Sequence, residues 1–414
     1  MLAQRMSLLS GSGTAAAREA TKAAAAAGRQ IIDLATGEVA SPPPPTVRSG
    51  AIAAVEDGRN RYTESIGIRP LREAVAGKIS VETGQPWEAD EIAITAGAKQ
   101  GLLDAALALL NPGDEVIIVQ PCWPTFPAQV LLAGAKPVFV QAEAPTYVPR
   151  LGAIRAAVTP STKAIVVNSP NNPTGAVYDR TTLFDIADLA VTYDLWIISD
   201  ECYSGFVFTG QQHQSMASVH PGARSRTVVV NAFSKQLAMT GWRLGYLAAP
   251  RELIAASKTL QSHTTSNPNV IAQYAALHHL QTGDGSFEHE MHAMVNANRA
   301  AGLKILSGLA VAPPPPAQGT FFFYLDLSSL LAALSRDGTA ATGDDISRIL
   351  LERADVGSVA GGSFGDPNGL RLSFGVPRDQ LEPGLTRVVE TLNALDGDRT
   401  AACCAPQPEP IAQH

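Results

Sequence analysis

The stretch NAFSKQLAMTGWRLGYLAA, residues 231–249, decides how the rest of the chain is read. An apolar, β-branched run (Thr227, Val228, Val229, Val230) leads into it, and a lone lysine, Lys235, stands just beyond that run. Arg243 follows after a Thr-Gly-Trp turn. A lysine at the end of a buried strand is partly desolvated, which disfavours the ammonium and leaves a nucleophilic amine able to form a Schiff base with a carbonyl. The arginine offers a forked anion grip. Taken alone, the pair reads equally well as a solvated loop lysine and a surface ion-pair partner.

Working outward, short apolar runs recur at residues 92–95, 115–119, 138–140, 164–167, 195–199, 227–230 and 244–248, with helical stretches such as 183–193 between some of them. Strands buried on both faces and separated by helices predict an α/β layer with a largely parallel sheet. Function in such sheets collects at the carboxyl ends of the strands. Before this layer, an Ala-rich helix at 14–27 ends at Gly28, a short strand follows at 31–34, and the proline run 42–45 reads as a stiff connector. After helices at 271–280 and 287–306, the prolines at 313–316 mark a change. Strands at 321–327 and 370–374 with helices at 346–353 and 385–395 predict a smaller α+β domain. The expected division is an N-terminal arm and part of the small domain (1–45), a large domain (46–290), a small C-terminal domain (291–396) and a disordered tail (397–414).

Other strand ends bear on Lys235. Residues 168–175, NSPNNPTG, form a rigid polar turn that holds the Asn172 amide in a cleft. Asp200 ends another strand three residues before Tyr203, and a buried carboxylate is costly without a cationic partner. Trp123 offers an indole for stacking, and Gly97, Ala98 and Lys99 sit where a strand turns into a helix, a natural anion site. Each residue has an ordinary structural explanation by itself. Together, a lysine for a carbonyl, a carboxylate for a ring nitrogen, a flat aromatic, an amide and a phenol for a ring oxygen, and a phosphate cradle complement pyridoxal phosphate.

On the NNPTG turn, the Asp200-x-x-Tyr203 pair, SKQLAMTGWRLGY and the late Leu370-Arg371-Leu372-Ser373-Phe374, the chain from about residue 31 to 395 resembles the class I/II aminotransferases of pyridoxal-phosphate fold type I, in their prokaryotic aspartate-aminotransferase-like branch. The resemblance implies a three-layer αβα large domain with a mostly parallel seven-stranded sheet and a small α+β domain. It implies that Lys235 carries the Schiff base to the cofactor, Asp200 pairs with the ring nitrogen, and Tyr203 and Asn172 bond the ring oxygen. Trp123 would stack on the ring and border the substrate, while Gly97, Ala98, Lys99, Ser234 and Arg243 would surround the phosphate. Tyr62 would reach the cofactor of a neighbouring subunit, making the enzyme a homodimer. Arg371 would clamp the substrate α-carboxylate, helped by Asn172 and the backbone of Gly37. The implied reaction moves an amino group between an L-amino acid and a 2-oxo acid by a ping-pong mechanism. Fold type I lyases, decarboxylases and cyclising or oxidising enzymes share these cofactor contacts and stand as the alternative. One departure is Ala232, three residues before the lysine, where the family usually has glycine or serine; Ser234 is placed to compensate. Lys99 reads equally as a phosphate ligand and as a receptor for an acidic substrate side chain. Phe321, Ser262 and Thr264 are expected to face the pocket.

Composition narrows the rest. A net charge of -7 with no Lys/Arg-rich run argues against nucleic acid, and the residues preceding Tyr62 show no basic helix-turn-helix pattern. Four cysteines, two of them adjacent at 403–404, suit neither a disulfide framework nor a zinc site. His289-Glu290-Met291-His292 is one residue short of the zinc-helix spacing, so no metal is expected. With no membrane or signal segment, the expectation is a cytoplasmic enzyme.

Overall fold

The computed structural model describes residues 2–210, 212–335 and 341–403. Twelve strands are found among them: β1 (Ile32–Asp33), β2 (Ile92–Thr95), β3 (Glu115–Gln120), β4 (Lys136–Gln141), β5 (Thr162–Asn168), β6 (Trp196–Asp200), β7 (Thr227–Ala232), β8 (Gly245–Ala248), β9 (Phe322–Asp326), β10 (Val356–Gly357), β11 (Val359–Ala360) and β12 (Gly369–Ser373). Seven of these build one sheet in the order β2-β8-β7-β6-β5-β3-β4. All neighbours in it run parallel except β8, which is antiparallel to both β2 and β7.

Alternation along the strands accounts for the layers. Ile117, Ile165 and Ile197 point into one core with Ile154, Leu183 and Ile186, whereas Val116, Ile118, Val166, Ile198, Val228 and Val230 point into another with Leu102 and Ala105. Both faces are therefore sealed by helices, as near-continuous apolar strands require, and the large domain has three layers. The small domain carries the antiparallel sheet β11-β12-β9, and β1 pairs with β10 in parallel.

The Ala-rich helix spans Gly13–Ala26 and is followed by Gly28 at φ 90°. Pro45, the last proline of the run, opens the helix Pro45–Glu56, a position where its fixed φ suits the first turn and its missing N–H costs nothing. The helix Ser286–Leu306 runs unbroken across the 290/291 division drawn from sequence. At the C-terminus, the helix Arg378–Cys403 continues past residue 397, where sequence alone set a disordered tail; residues 404–414 lie outside the described residues. Among the described residues no helix is long and apolar enough to cross a membrane.

Candidate active site

The parallel register aligns three strand ends. Asn168 on β5 faces Asp200 on β6, and Asp200 faces Val230 on β7 one turn before Lys235. β7 is buried along its whole length, so the chain leaves the sheet only at Ala232, where the short helix Phe233–Gln236 delivers Lys235. These ends open into a cavity of about 750 Å³ whose lining includes Lys99, Trp123, Asn172, Asp200, Tyr203, Lys235, Arg243 and Arg371. Gly37, Ala98 and Ser234 also line it.

The half-buried Lys235 donates to the carbonyl of Gly37. Its amine is brought down to about 8 by burial, against the opposing pull of Cys202 and Glu38 and with smaller help from the guanidinium groups of Arg371 and Arg243. The Tyr203 and Phe321 ring centres lie 6.0 and 5.8 Å from it. Asp200 is buried; its Oδ1 accepts the Cys202 backbone N–H at 3.1 Å, and burial pushes its carboxyl above the ordinary value. No ion pair among the described residues compensates this carboxylate.

Arg371 presents the complementary imbalance. It sits in the buried strand β12, stacks 4.1 Å from the Phe322 ring centre, and donates to Asn172 Oδ1 at 2.9 Å and to the Ala35 carbonyl at 3.1 Å. Its Nε is buried without a partner, and burial lowers the guanidinium to about 10. All its protein acceptors are neutral, so a charge this well enclosed awaits an anion.

At the other end, Gly97 at φ 79° precedes the helix Ala98–Leu109. A Cβ on Gly97 would lie 2.6 Å from Arg243 Nη2, so only glycine lets the guanidinium approach this helix start. Arg243 itself holds φ 54°, a strained setting for a non-glycine residue. Lys99 Nζ lies 5.0 Å from the Trp123 ring centre; burial, then Arg243, lowers its amine. Two cations crowded together beside free backbone N–H groups are an anion site. Ala232 and Ser234 border the same cavity, the first with no polar side-chain atom to offer.

Not every candidate arrives here. Ser262 and Thr264 lie on the exposed face of the helix Arg251–Thr264 and hydrogen-bond its own carbonyls of Thr259 and Leu260, so they do not face the pocket as expected; Phe321 is fully buried behind the cavity, near Lys235 but not in the lining itself. Tyr62 is 89% exposed and borders a separate groove with Asn267 and Asn269. His279 is taken up between Thr46 and Glu288, and His292 bonds the Val207 carbonyl. Among the described residues no group of three His, Cys, Asp or Glu side chains is placed to hold a metal.

Other lining residues carried no expectation. Asn168 braces the site, donating to the Asp200 carbonyl at 3.0 Å while its Oδ1 accepts the Asn172 N–H at 2.9 Å. Glu38 and, from the N-terminal helix, Arg18 also line the cavity. Glu38 accepts from Arg18 and from the Thr240 hydroxyl, and although burial works to raise its carboxyl, these partners leave it below the ordinary value.

An enclosed lysine with a depressed pKa, an uncompensated buried carboxylate and a cationic helix start, beside an aromatic wall, define a site for a flat, phosphorylated, carbonyl-bearing ring. Pyridoxal phosphate fits that description. The family described as Aminotransferase class I and II matches residues 29–388. An aspartate aminotransferase of Geobacillus stearothermophilus is 35% identical over 401 residues, covering 95% of this chain and 99% of the relative. A probable aspartate/prephenate aminotransferase of Aquifex aeolicus is 37% identical over 399 residues, with 95% and 99% covered. Among solved structures, the Thermus thermophilus aspartate aminotransferase with maleate matches at TM-score 0.88 and 34% identity, covering 94% of this chain and 99% of that one. The Rhizobium meliloti aspartate aminotransferase matches at TM-score 0.89 and 31% identity, covering 95% and 99%. The chain belongs to the class I and II aminotransferases. It is a pyridoxal-phosphate-dependent transaminase of fold type I, acting between amino acids and 2-oxo acids, and the lyase and decarboxylase alternatives are not favoured.

Proposed function

We propose that the amino donor is a dicarboxylic L-amino acid such as aspartate, and that Lys235 is both the covalent anchor of the cofactor and the proton carrier. The observation that carries an amino-acid substrate is Arg371, a buried guanidinium with neutral partners and an unpaired Nε, while the dicarboxylic side chain rests on the relatives' names. A substrate α-carboxylate satisfies the guanidinium as a forked, charge-assisted pair. The names of the relatives support aspartate.

Pyridoxal phosphate, when bound, supplies a carbonyl carbon for the substrate amine and an electron-withdrawing protonated ring. Asp200 holds the proton on the ring nitrogen, gaining the cationic partner it lacks. Tyr203 and the Asn172 amide donate to the ring oxygen, the Asn172 carbonyl being already committed to Arg371. Trp123 covers the ring and borders the substrate. Gly97, Ala98, Lys99, Ser234 and Arg243 hold the phosphate, with Ser234 taking the place of the hydroxyl that Ala232 lacks. Lys235, once freed, takes a proton from the substrate Cα, a task suited to an amine near 8. Arg371 and Asn172 fix the Cα orientation, with Gly37 at the edge. A second half-reaction returns the amine to a 2-oxo acid, completing a ping-pong cycle.

The further elements of this reading are a cytoplasmic homodimer in which Tyr62 reaches the phosphate of the partner's site, and the division into arm, large domain 46–290 and small domain 291–396. Tyr62's exposure and the two buried free cysteines, Cys122 and Cys202, support the first part. The test is Arg371→Lys, which keeps the charge and loses the fork. KM for aspartate is expected to rise about 10- to 100-fold, the worth of one charged hydrogen bond; an unchanged KM would overturn the role of Arg371.

A further inference from the structure

We propose that Arg18 reads the side-chain carboxylate of the amino donor, and that Glu38 fills that subsite until the donor displaces it. The inference rests on the dicarboxylic-donor reading above and extends it to residues that reading leaves unused.

Glu38 is a carboxylate already inside the substrate cavity. One of its oxygens takes the Arg18 guanidinium and the other takes the Thr240 hydroxyl at 2.8 Å. The preceding residue, Gly37, receives the Lys235 amine through its carbonyl. Glu38 and Arg371 line the same cavity as that amine. Arg18, Glu38 and Thr240 stand together in the lining that Arg371 and Lys235 share, within the space open to the side chain of a donor whose α-carboxylate is on Arg371.

An anionic side chain placed beside Glu38 is repelled. Placed instead of Glu38, it meets a guanidinium and a hydroxyl already spaced for two carboxylate oxygens. The exchange is inexpensive: the Arg18 and Glu38 side chains are 45% and 43% exposed, so their ion pair is weak and Glu38 can turn to water. Lys99 is held differently, over Trp123 and close enough to Arg243 to feel its charge, and is assigned to the phosphate.

The test uses the holoenzyme and two inert probes, succinate and butyrate, titrated calorimetrically into the wild type, Arg18→Gln and Glu38→Gln. Succinate is expected to bind about tenfold more weakly to Arg18→Gln and several-fold more tightly to Glu38→Gln, with butyrate shifted much less. The ratio of kcat/KM for glutamate to that for norvaline is expected to fall about tenfold in Arg18→Gln. If the wild type prefers dicarboxylates and Arg18→Gln keeps that preference, or weakens both probes equally, the assignment of Arg18 is wrong and the donor reading stands. If the wild type neither prefers succinate nor accepts aspartate or glutamate, the donor reading and the assignment fall together.

Discussion

Lys235 carries the chemistry because of where β7 ends. Six consecutive buried residues deliver it to the cavity floor, and the desolvation that results, not a hydrogen bond, is the largest cause of its low pKa. The neutral amine is the reactive form, so the rate at which pyridoxal phosphate attaches to the apoenzyme is expected to rise with pH through a midpoint near 8. Stopped-flow absorbance against pH measures this; a midpoint above 10 would show that the lysine is solvated. The same burial logic made Asp200 legible from sequence, as a charged residue ending an apolar strand, whereas Arg371 was legible only through the family resemblance. Arg18 and Glu38 were not legible as site residues, because their pairing joins a helix and a loop that only the fold brings together. Ser262 and Thr264 misled for the opposite reason: their helix passes close in sequence to site elements but turns that face to water.

At the scale of elements, the helix Ala98–Leu109 is held against Arg251–Thr264 by a buried polar contact. Asp104 accepts from Gln261 Nε2 at 3.1 Å, while Gln261 Oε1 and Ser257 Oγ are buried without partners. Burial, only partly offset by Gln261, raises the Asp104 carboxyl to about 6. Its folded pKa exceeds the unfolded value near 3.8, so its contribution to stability is fully present below that value and is lost as pH rises through 6. Asp104→Asn removes the charge and supplies a donor for Gln261 Oε1. It is expected to stabilise the protein by about 2 kcal/mol at pH 8 and by less at pH 5. Thermal melts at the two pH values decide it: equal or lowered Tm at pH 8 would mean that Asp104 is already compensated. Strand positions were readable because both faces of the sheet are sealed and the runs are uniformly apolar. The helical extension to Cys403 was not, because Gly397 and the polar residues around it break the amphipathic pattern.

At the scale of the molecule, Tyr62 lies outside the cavity lining and is 89% exposed. If it serves the partner's site, mixing Lys235→Ala subunits with Tyr62→Ala subunits regenerates one complete site per heterodimer. Activity above either parent is expected after the subunits are mixed and refolded together, whereas no recovery would place Tyr62's work within its own chain. The central claim, that this pocket carries an amine from a dicarboxylic donor to an oxo acid through Lys235, is tested most directly with [15N]aspartate and 2-oxoglutarate. Mass spectrometry is expected to find [15N]glutamate with the wild type and none with Lys235→Ala; label released as ammonia, or unchanged transfer by Lys235→Ala, would contradict it.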